Sequence, residues 1–346
     1  MSALRDAFHA QATSCGNLGS PFMERLFRTL ADIWPDTGPL AARCRQFDGA
    51  IGPSGSSLPL RIAGGLHALV LRQVDPDLTD LYPPAQPEEA GFRVGLLAAL
   101  DRHAVFLTDW IDSPPQTNEL RRSAALIAGA HVAARQFDLP IRLSELGASG
   151  GLNLIWDRYA LCINGTRFGP KDAVVTLSPD WTGPMPPKAN PVIAERRGVD
   201  LMPLDPRDPD DLLRLQAFLW PDQPFRLDMT RAAAQVASGH VDQGDAIDWL
   251  ETRLNSAPDD HLHLIQNTVA WQYFPTDAQS RGAALIQQAG RAATPSRPLG
   301  WLQLETDGDE NGLGGAAITL RLWPGDLHMV LGRGDFHGRW LRWQGP

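Results

Sequence analysis

Apolar residues recur at helical spacing through the first third of the chain. Phe22, Leu26, Leu30 and Ile33 share one face of a helix opened by Pro21, and Leu60, Ala63, Leu66, Val70 and Val74 share one face of another. A third helix runs from Phe92 to Trp110, with breakers at Gly49–Ser57 and Pro83–Glu89 as loops and Ser113-Pro114-Pro115 as the close of the region. From Thr117 the texture changes. Asn118 caps a helix to about Arg135 with Glu119 in its first turn, Ile141–Glu145 reads as a strand, and Leu152–Tyr159 as a helix. Ala160–Ile163 and Thr166–Phe168 flank Asn164-Gly165, a type I′ hairpin pair. Val174–Leu177 is a further strand and Pro179–Pro191 a proline-rich loop. Alternation then resumes. Strands Val192–Asp200, His240–Asp245 and His261–Gln266 are interleaved with helices at Pro209–Phe218, through Met229–Ala237, at Ala246–Ala257 and at Ala278–Ala292. Strands Trp301–Glu305, Ala317–Trp323 and Leu327–Arg333 end the chain, the last two joined by Pro324-Gly325-Asp326.

This order predicts an α/β protein with a doubly wound, mostly parallel, seven-stranded Rossmann-type sheet closed by an antiparallel C-terminal hairpin. The sheet domain spans 117–346, with a β insertion at about 160–190. A helical N-terminal domain, 1–116, is expected to cover the rim of the sheet and shape a substrate pocket. The formal charge of −9 disfavours non-specific binding to nucleic acid or anionic membranes and points to a small-molecule partner. Cys15, Cys44 and Cys162 have no metal-ligand spacing and fit a reducing compartment. With no run of about 18 apolar residues and no export signal, the expected location is the cytoplasm.

The chemistry gathers at strand ends. Glu145-Leu146-Gly147-Ala148-Ser149-Gly150-Gly151 is an acid followed by a turn of small residues, which lets a ligand approach the backbone and the helix N-terminus beyond. Parallel strands would bring Gly198-Val199-Asp200, Gly244-Asp245 and Gln266-Asn267 to the same rim. An acid at the second strand end suits a ribose diol, because a carboxylate accepts from both hydroxyls, and one at the third suits an adenine amino group.

Glu145-x-Gly147-x-Ser149-x-Gly151, Gly198-Val199-Asp200 and Gly244-Asp245-Ala246 together resemble the sequential motifs of class I S-adenosylmethionine-dependent methyltransferases. The chain more closely resembles the bacterial family called domain of unknown function 2332. That resemblance is carried by Phe8-His9-Ala10-Gln11, the segment Leu58–His67, Pro115-Gln116-Thr117-Asn118-Glu119, Glu145–Tyr159, Arg197–Asp205 and His337-Gly338-Arg339-Trp340. It implies a methyltransferase-like fold with S-adenosylmethionine over Gly147–Gly151. The ribose would lie on Asp200, the adenine near Asp245 and Ala246, and the amino-acid end near Glu145 and Ser149, with Asn153 and Gln266 completing the site. His9, His67 and Glu119 are the candidates for a base that takes the acceptor's proton. Two departures from the common pattern are Ser149, in place of a glycine, and Ile265-Gln266-Asn267-Thr268, which lacks an Asp/Asn-Pro-Pro-Tyr motif for nitrogen methylation.

Other readings compete. Gly147-Ala148-Ser149-Gly150-Gly151 satisfies the G-x-S-x-G nucleophile elbow of a serine α/β-hydrolase, which Asp307 or Asp309 and His328 or His337 would complete. A non-catalytic ligand-binding or adaptor protein of the same fold is another. A nicotinamide site is disfavoured because the glycines do not spell G-x-G-x-x-G. Asp307–Gly312 mimics the start of a calcium loop but has Ile318 where a bidentate glutamate is needed. His261 and His263 read as structural, and Trp110, Trp156, Trp220 and Trp249 as core.

Overall fold

The computed structural model describes residues 2–52, 55–308 and 314–346. The chain divides into two compact units, a helical one (Met1–Thr117 with Asp208–Arg231) and an α/β one (Asn118–Arg207 with Ala232–Pro346). The helical unit thus takes in a stretch from the region in which strands and helices alternate. Amphipathic period alone does not say which core a helix joins.

The helical unit contains α1 (Ser2–Asn17), α2 (Pro21–Ile33), α3 (Pro39–Cys44), α4 (Leu58–Leu71), α5 (Pro76–Thr79), α6 (Glu89–Arg102) and α7 (Ala104–Trp110). With α8 (Ser123–Gln136) lying in the other unit, the later excursion adds α9 (Pro209–Ala217) and the first part of α10 (Pro224–Gln235). Its core gathers Phe8, Phe27, Leu30, Leu66, Tyr82 and Phe92 with Trp220. The helix expected over Phe92–Trp110 is broken at His103, where Arg102 and His103 both turn onto the carboxylate of Asp75 (2.8 and 2.7 Å). The glycine pair inside α4 has a packing cause. A Cβ on Gly64 would lie 2.6 Å from the Phe218 ring, and one on Gly65 2.7 Å from Leu107.

In the α/β unit a nine-stranded sheet runs β5-β12-β11-β10-β9-β8-β1-β6-β7. Its parallel half comprises β1 (Ile141–Leu146), β6 (Ile193–Asp200), β7 (His240–Gln243), β8 (Leu262–Thr268) and β9 (Leu299–Glu305). The antiparallel β10 (Ala316–Trp323), β11 (Leu327–Gly334) and β12 (Trp340–Trp343) follow, and β5 (Asp180–Thr182) lies parallel to β12 at the edge. The sheet therefore has nine strands where the sequence pattern predicts seven. The two extra strands, β5 and β12, span three and four residues, too few to show alternation. A separate three-stranded sheet holds β2 (Tyr159–Ile163), β3 (Thr166–Phe168) and β4 (Val175–Leu177), and Asn164 and Gly165 turn β2 into β3 with φ of 47° and 82°.

Gly129 of α8 packs on Leu302, on one face of β9. Leu299 and Trp301, on the opposite face, pack with Leu250 and Trp249 of α11 (Ala246–Asn255) and Ile286 of α12 (Thr276–Arg291). Helices therefore cover both faces of the parallel half, which explains why all seven residues of β8 are buried.

Gly64→Ala is expected to lower stability. Alanine's helix propensity favours the variant by about 1 kcal/mol, but forcing a methyl against the Phe218 ring costs about 1–3 kcal/mol. The urea midpoint should fall, and a midpoint at or above that of the wild type would refute close packing as the reason for this glycine.

Candidate functional site

β1 sits between β6 and β8, and its register places Glu145 beside Gly198 on one side and Gln266 on the other. Strand alternation points Ser144 and Leu146 toward α11 and α12 and Glu145 toward the α8 face. Glu145 is 2% exposed, and its Oε2 has no hydrogen-bond partner among the described residues. Burial pushes its carboxyl from an ordinary 4.5 up to about 8. The charge of Asp200 adds to the rise, while a hydrogen bond from Gln266 and the charge of Arg122 oppose it. At neutral pH this side chain is mainly a carboxylic acid with an idle oxygen.

Beyond Glu145 the chain makes its glycine turn. Gly147, Ser149 and Gly151 all have positive φ (70°, 52° and 69°), and a Cβ on Gly147 would lie 2.6 Å from that of Ala270. Most of the turn's N–H groups are used internally. Gly147 and Ala148 donate to the Val199 carbonyl, Gly151 donates to Ala148, and Ser149 donates to Asp200 Oδ2 at 2.8 Å. Asp200 Oδ1 accepts from Met202 N at 3.0 Å, so this half-buried carboxylate clamps the turn to the end of β6. The Asp200 carbonyl accepts from Gly244 N. The next residue, the exposed Asp245, caps α11 by accepting from Ile247 and Asp248, with Ala246 opening that helix.

Two expectations for the flanking segments are corrected. Asn118 does not cap a helix. Its φ is 31°, and its Oδ1 takes the N–H of Leu152, the very donor that the sequence pattern left for a ligand. Glu119 instead caps a short 3-10 turn, Leu120–Arg122, through Arg121 N, and α8 begins only at Ser123. The segment after the glycine turn is a 3-10 helix, Leu152–Arg158, kinked at Ile155. Asn153, near its start, accepts from Ser123 Oγ, donates to the Glu119 carbonyl, and offers its own carbonyl to Gln266 Nε2. Gln266 Oε1 accepts from Trp156 Nε1, so this fully buried amide joins β8 to the 3-10 helix beneath Glu145.

The loop leaving β8 carries the sharpest backbone anomaly. Val269 has a φ of 51°, costly for a β-branched residue. Glu305, at the end of β9, holds the loop there. Its buried carboxylate accepts from Ala270 N, Trp271 N, Gln272 N and Asn267 Nδ2. Burial raises its pKa against the pull of those four bonds. Arg122 ties the same region together, donating to the carbonyls of Thr268 and Phe336. The turn holding His337 is braced by Asp335 and Arg339 and packs so closely on Arg121 that a Cβ on Gly338 would lie 2.6 Å from the Arg121 carbonyl oxygen. One rim therefore assembles Glu145, Gly147, Ser149, Gly151, Asn153, Asp200 and Gln266 with Glu119, and Asp245 follows directly on Gly244.

Glu305 and Arg122 are further rim residues that motif reading passed over. Glu305 carried the same signal as Glu145, an acid closing a strand, whereas nothing local marked Arg122. His9 and His67 belong to the helical unit. His9 is exposed on α1. His67 is buried on α4, with Nδ1 on the Ala217 carbonyl at 3.2 Å and its ring stacked on Tyr82. Burial drives its pKa down to about 4.

The hydrolase constellation meets a geometric obstacle at His328, which lies level with Ser144 but four strand spacings away, about 19 Å across the sheet. Arg333 grips the carboxylate of Asp307 through both terminal nitrogens, and Asp309, with the rest of the calcium-like segment to Gly312, falls outside the described residues. His263 is buried within β8, on the face opposite Glu145.

Glu145 makes stability depend on pH. Between 4.5 and about 8 the folded chain holds a proton that the unfolded chain has lost, so stability falls as pH rises through that window, by up to about 1.4 kcal/mol per unit. Glu145→Gln cannot ionise and should gain on the wild type steadily from pH 5 to pH 8 in urea unfolding. Parallel profiles would show that Glu145 is already ionised.

No curated protein matches the chain, and no solved structure matches it. Among the described residues, no helix is long and apolar enough to cross a membrane. The model of a family described as "Uncharacterized protein conserved in bacteria" matches residues 5–343. The match embraces every segment of the rim just described, and the chain belongs to this family, DUF2332.

Proposed function

We propose that the protein binds S-adenosylmethionine at the carboxyl ends of β1, β6 and β7 and methylates a small molecule. The observation that carries this reading is the idle Oε2 of Glu145, buried where the glycine turn begins. It lies at the point where the strand order 3-2-1-4-5 reverses about β1, and ligands of open α/β sheets bind at such switch points.

The donor set suits a nucleoside better than a dinucleotide. With most of the turn's N–H groups and that of Leu152 already bonded within the protein, a pyrophosphate would find few donors. A sulfonium amino acid asks instead for acceptors and negative charge. Glu145 offers an unpaired carboxyl oxygen, and Asp200 spends one backbone bond on each oxygen of a group that accepts about four. Asp200 would take the ribose hydroxyls, the Asp245–Ala246 corner the adenine, and Glu145 with Ser149 the amino-acid end. When bound, adenosylmethionine supplies an electrophilic methyl group. The protein's task is to hold it in line with a nucleophile and to exclude water. The strained Val269–Gln272 loop, fixed by Glu305 beside Gly147, would give that rim a rigid wall. The net charge of −9 favours a small acceptor over nucleic acid.

Calorimetry with adenosylmethionine and adenosylhomocysteine tests the reading. Both should bind, and Asp200→Asn should weaken them by about 10- to 100-fold, the worth of charge-assisted hydrogen bonds. Adenosylmethionine carries a net positive charge, so it should draw the proton from Glu145. Up to about one proton should be released at pH 7, seen as a dependence of the heat on buffer ionisation and missing in Glu145→Gln. A folded protein that binds neither compound would remove the proposal and leave a non-catalytic role for the fold.

A further inference from the structure

The other face of the sheet holds a second polar system. Glu195 accepts from Arg142 Nε at 2.8 Å and Arg253 Nη1 at 2.5 Å. Arg253 Nε donates to Ser144 Oγ at 3.1 Å, and Ser144 Oγ lies 2.8 Å from His263 Nε2. Arg142, Ser144, Arg253 and His263 are all buried. Proton accounting settles the histidine tautomer. Ser144 already accepts from Arg253, and its own proton is satisfied only if it donates to His263 Nε2, which places the histidine proton on Nδ1. That Nδ1 is buried and has no partner among the described residues.

His263 lines a cavity of about 360 Å³ between the last turns of α11 and α12 and the start of β9. The size is that of a small-ligand pocket. Leu254, Leu285, Ala289 and Leu299 supply apolar wall, and Arg297 stands at the mouth, about half exposed and only loosely paired with Asp259 at 3.9 Å. Glu251, also in the lining, is occupied by Arg281 at 2.8 Å. Two arginines against one glutamate leave a surplus positive charge behind the ring. A ring that lines a partly apolar cavity, with its remaining N–H buried, unpartnered and in a positive field, calls for an acceptor with negative charge on a compact hydrocarbon body.

We propose that this cavity binds a small monocarboxylate, its oxygen accepting from His263 Nδ1–H and its apolar part lying on Leu254, Leu285, Ala289 and Leu299. The site is independent of the glycine-turn rim. It faces the opposite side of the sheet, and its ligand is an acid rather than a nucleoside.

Benzoate and its neutral isostere benzamide serve as probes, titrated into the full chain by calorimetry and followed by ring-nitrogen NMR. Benzoate should bind saturably, at least about 10-fold more tightly than benzamide, and should shift the His263 Nδ1 resonance. His263→Phe should weaken benzoate by at least about 10-fold. Because that variant also strips Ser144 of a partner, Ala292→Trp gives a second check. It fills the mouth from an exposed position, leaves the buried network untouched, and should block binding in a protein with unchanged melting. Absence of saturable benzoate binding, or binding indifferent to both substitutions, would overturn the site. Equal affinity for benzamide would overturn the assignment to an anion.

Discussion

Parallel pairing of β1 between β6 and β8 is the constraint on which the rest of the α/β unit depends. With helices over both faces as well, β1 meets no solvent, so any polar group on that strand must find partners inside, and an ionisable one without them must give up its charge. Arg142 and Ser144 take the first course, in a network with Glu195, Arg253 and His263. Glu145 takes the second, its carboxyl raised to about 8 with one oxygen unmatched. Unmet polar capacity thus lies on both faces of the sheet, an acid oxygen at the carboxyl end of β1 on one and a ring N–H of the neighbouring β8 on the other.

The rim around Glu145 is built by interactions that look structural one at a time. Asp200 clamps the glycine turn, Asn118 takes the first N–H of the 3-10 helix, and Glu305 gathers three consecutive amides of the loop after β8. Together they hold a positive φ at Ser149 and at Val269, where ordinary side chains resist it. Such over-determination is how a fold keeps a surface rigid enough to position a ligand. It also explains why the turn is poor in free N–H donors.

Much of this was legible in the chain. The strands that became β1, β8 and β9 show as largely apolar segments of strand length, β6 and β7 by their place in the alternation with helices, and the acids at their ends stand near glycine or at the boundary of a segment. Glu145, Asp200 and Asp245 could therefore be placed on one rim before any coordinates, given only that the strands run parallel. Glu305 was equally visible as an acid closing a strand, but it belonged to no motif and went unremarked. Arg122 and Ser144 carried no local signal, because their roles consist of bonds to residues more than 100 positions away.

What the sequence determined by itself was period and punctuation. Helical and strand spacing, the turn at Asn164-Gly165 and the glycine run after Glu145 follow from local sterics and from which residues can face a core. Only the tertiary structure decided which core each helix joined, that two strands of three and four residues would extend the sheet, and that Asn118 would serve Leu152 rather than its own helix. It also decided which polar atoms were left without partners. Each of these outcomes depends on backbone and side chains meeting across long separations, where burial and hydrogen-bond accounting outweigh anything a short window of residues can express.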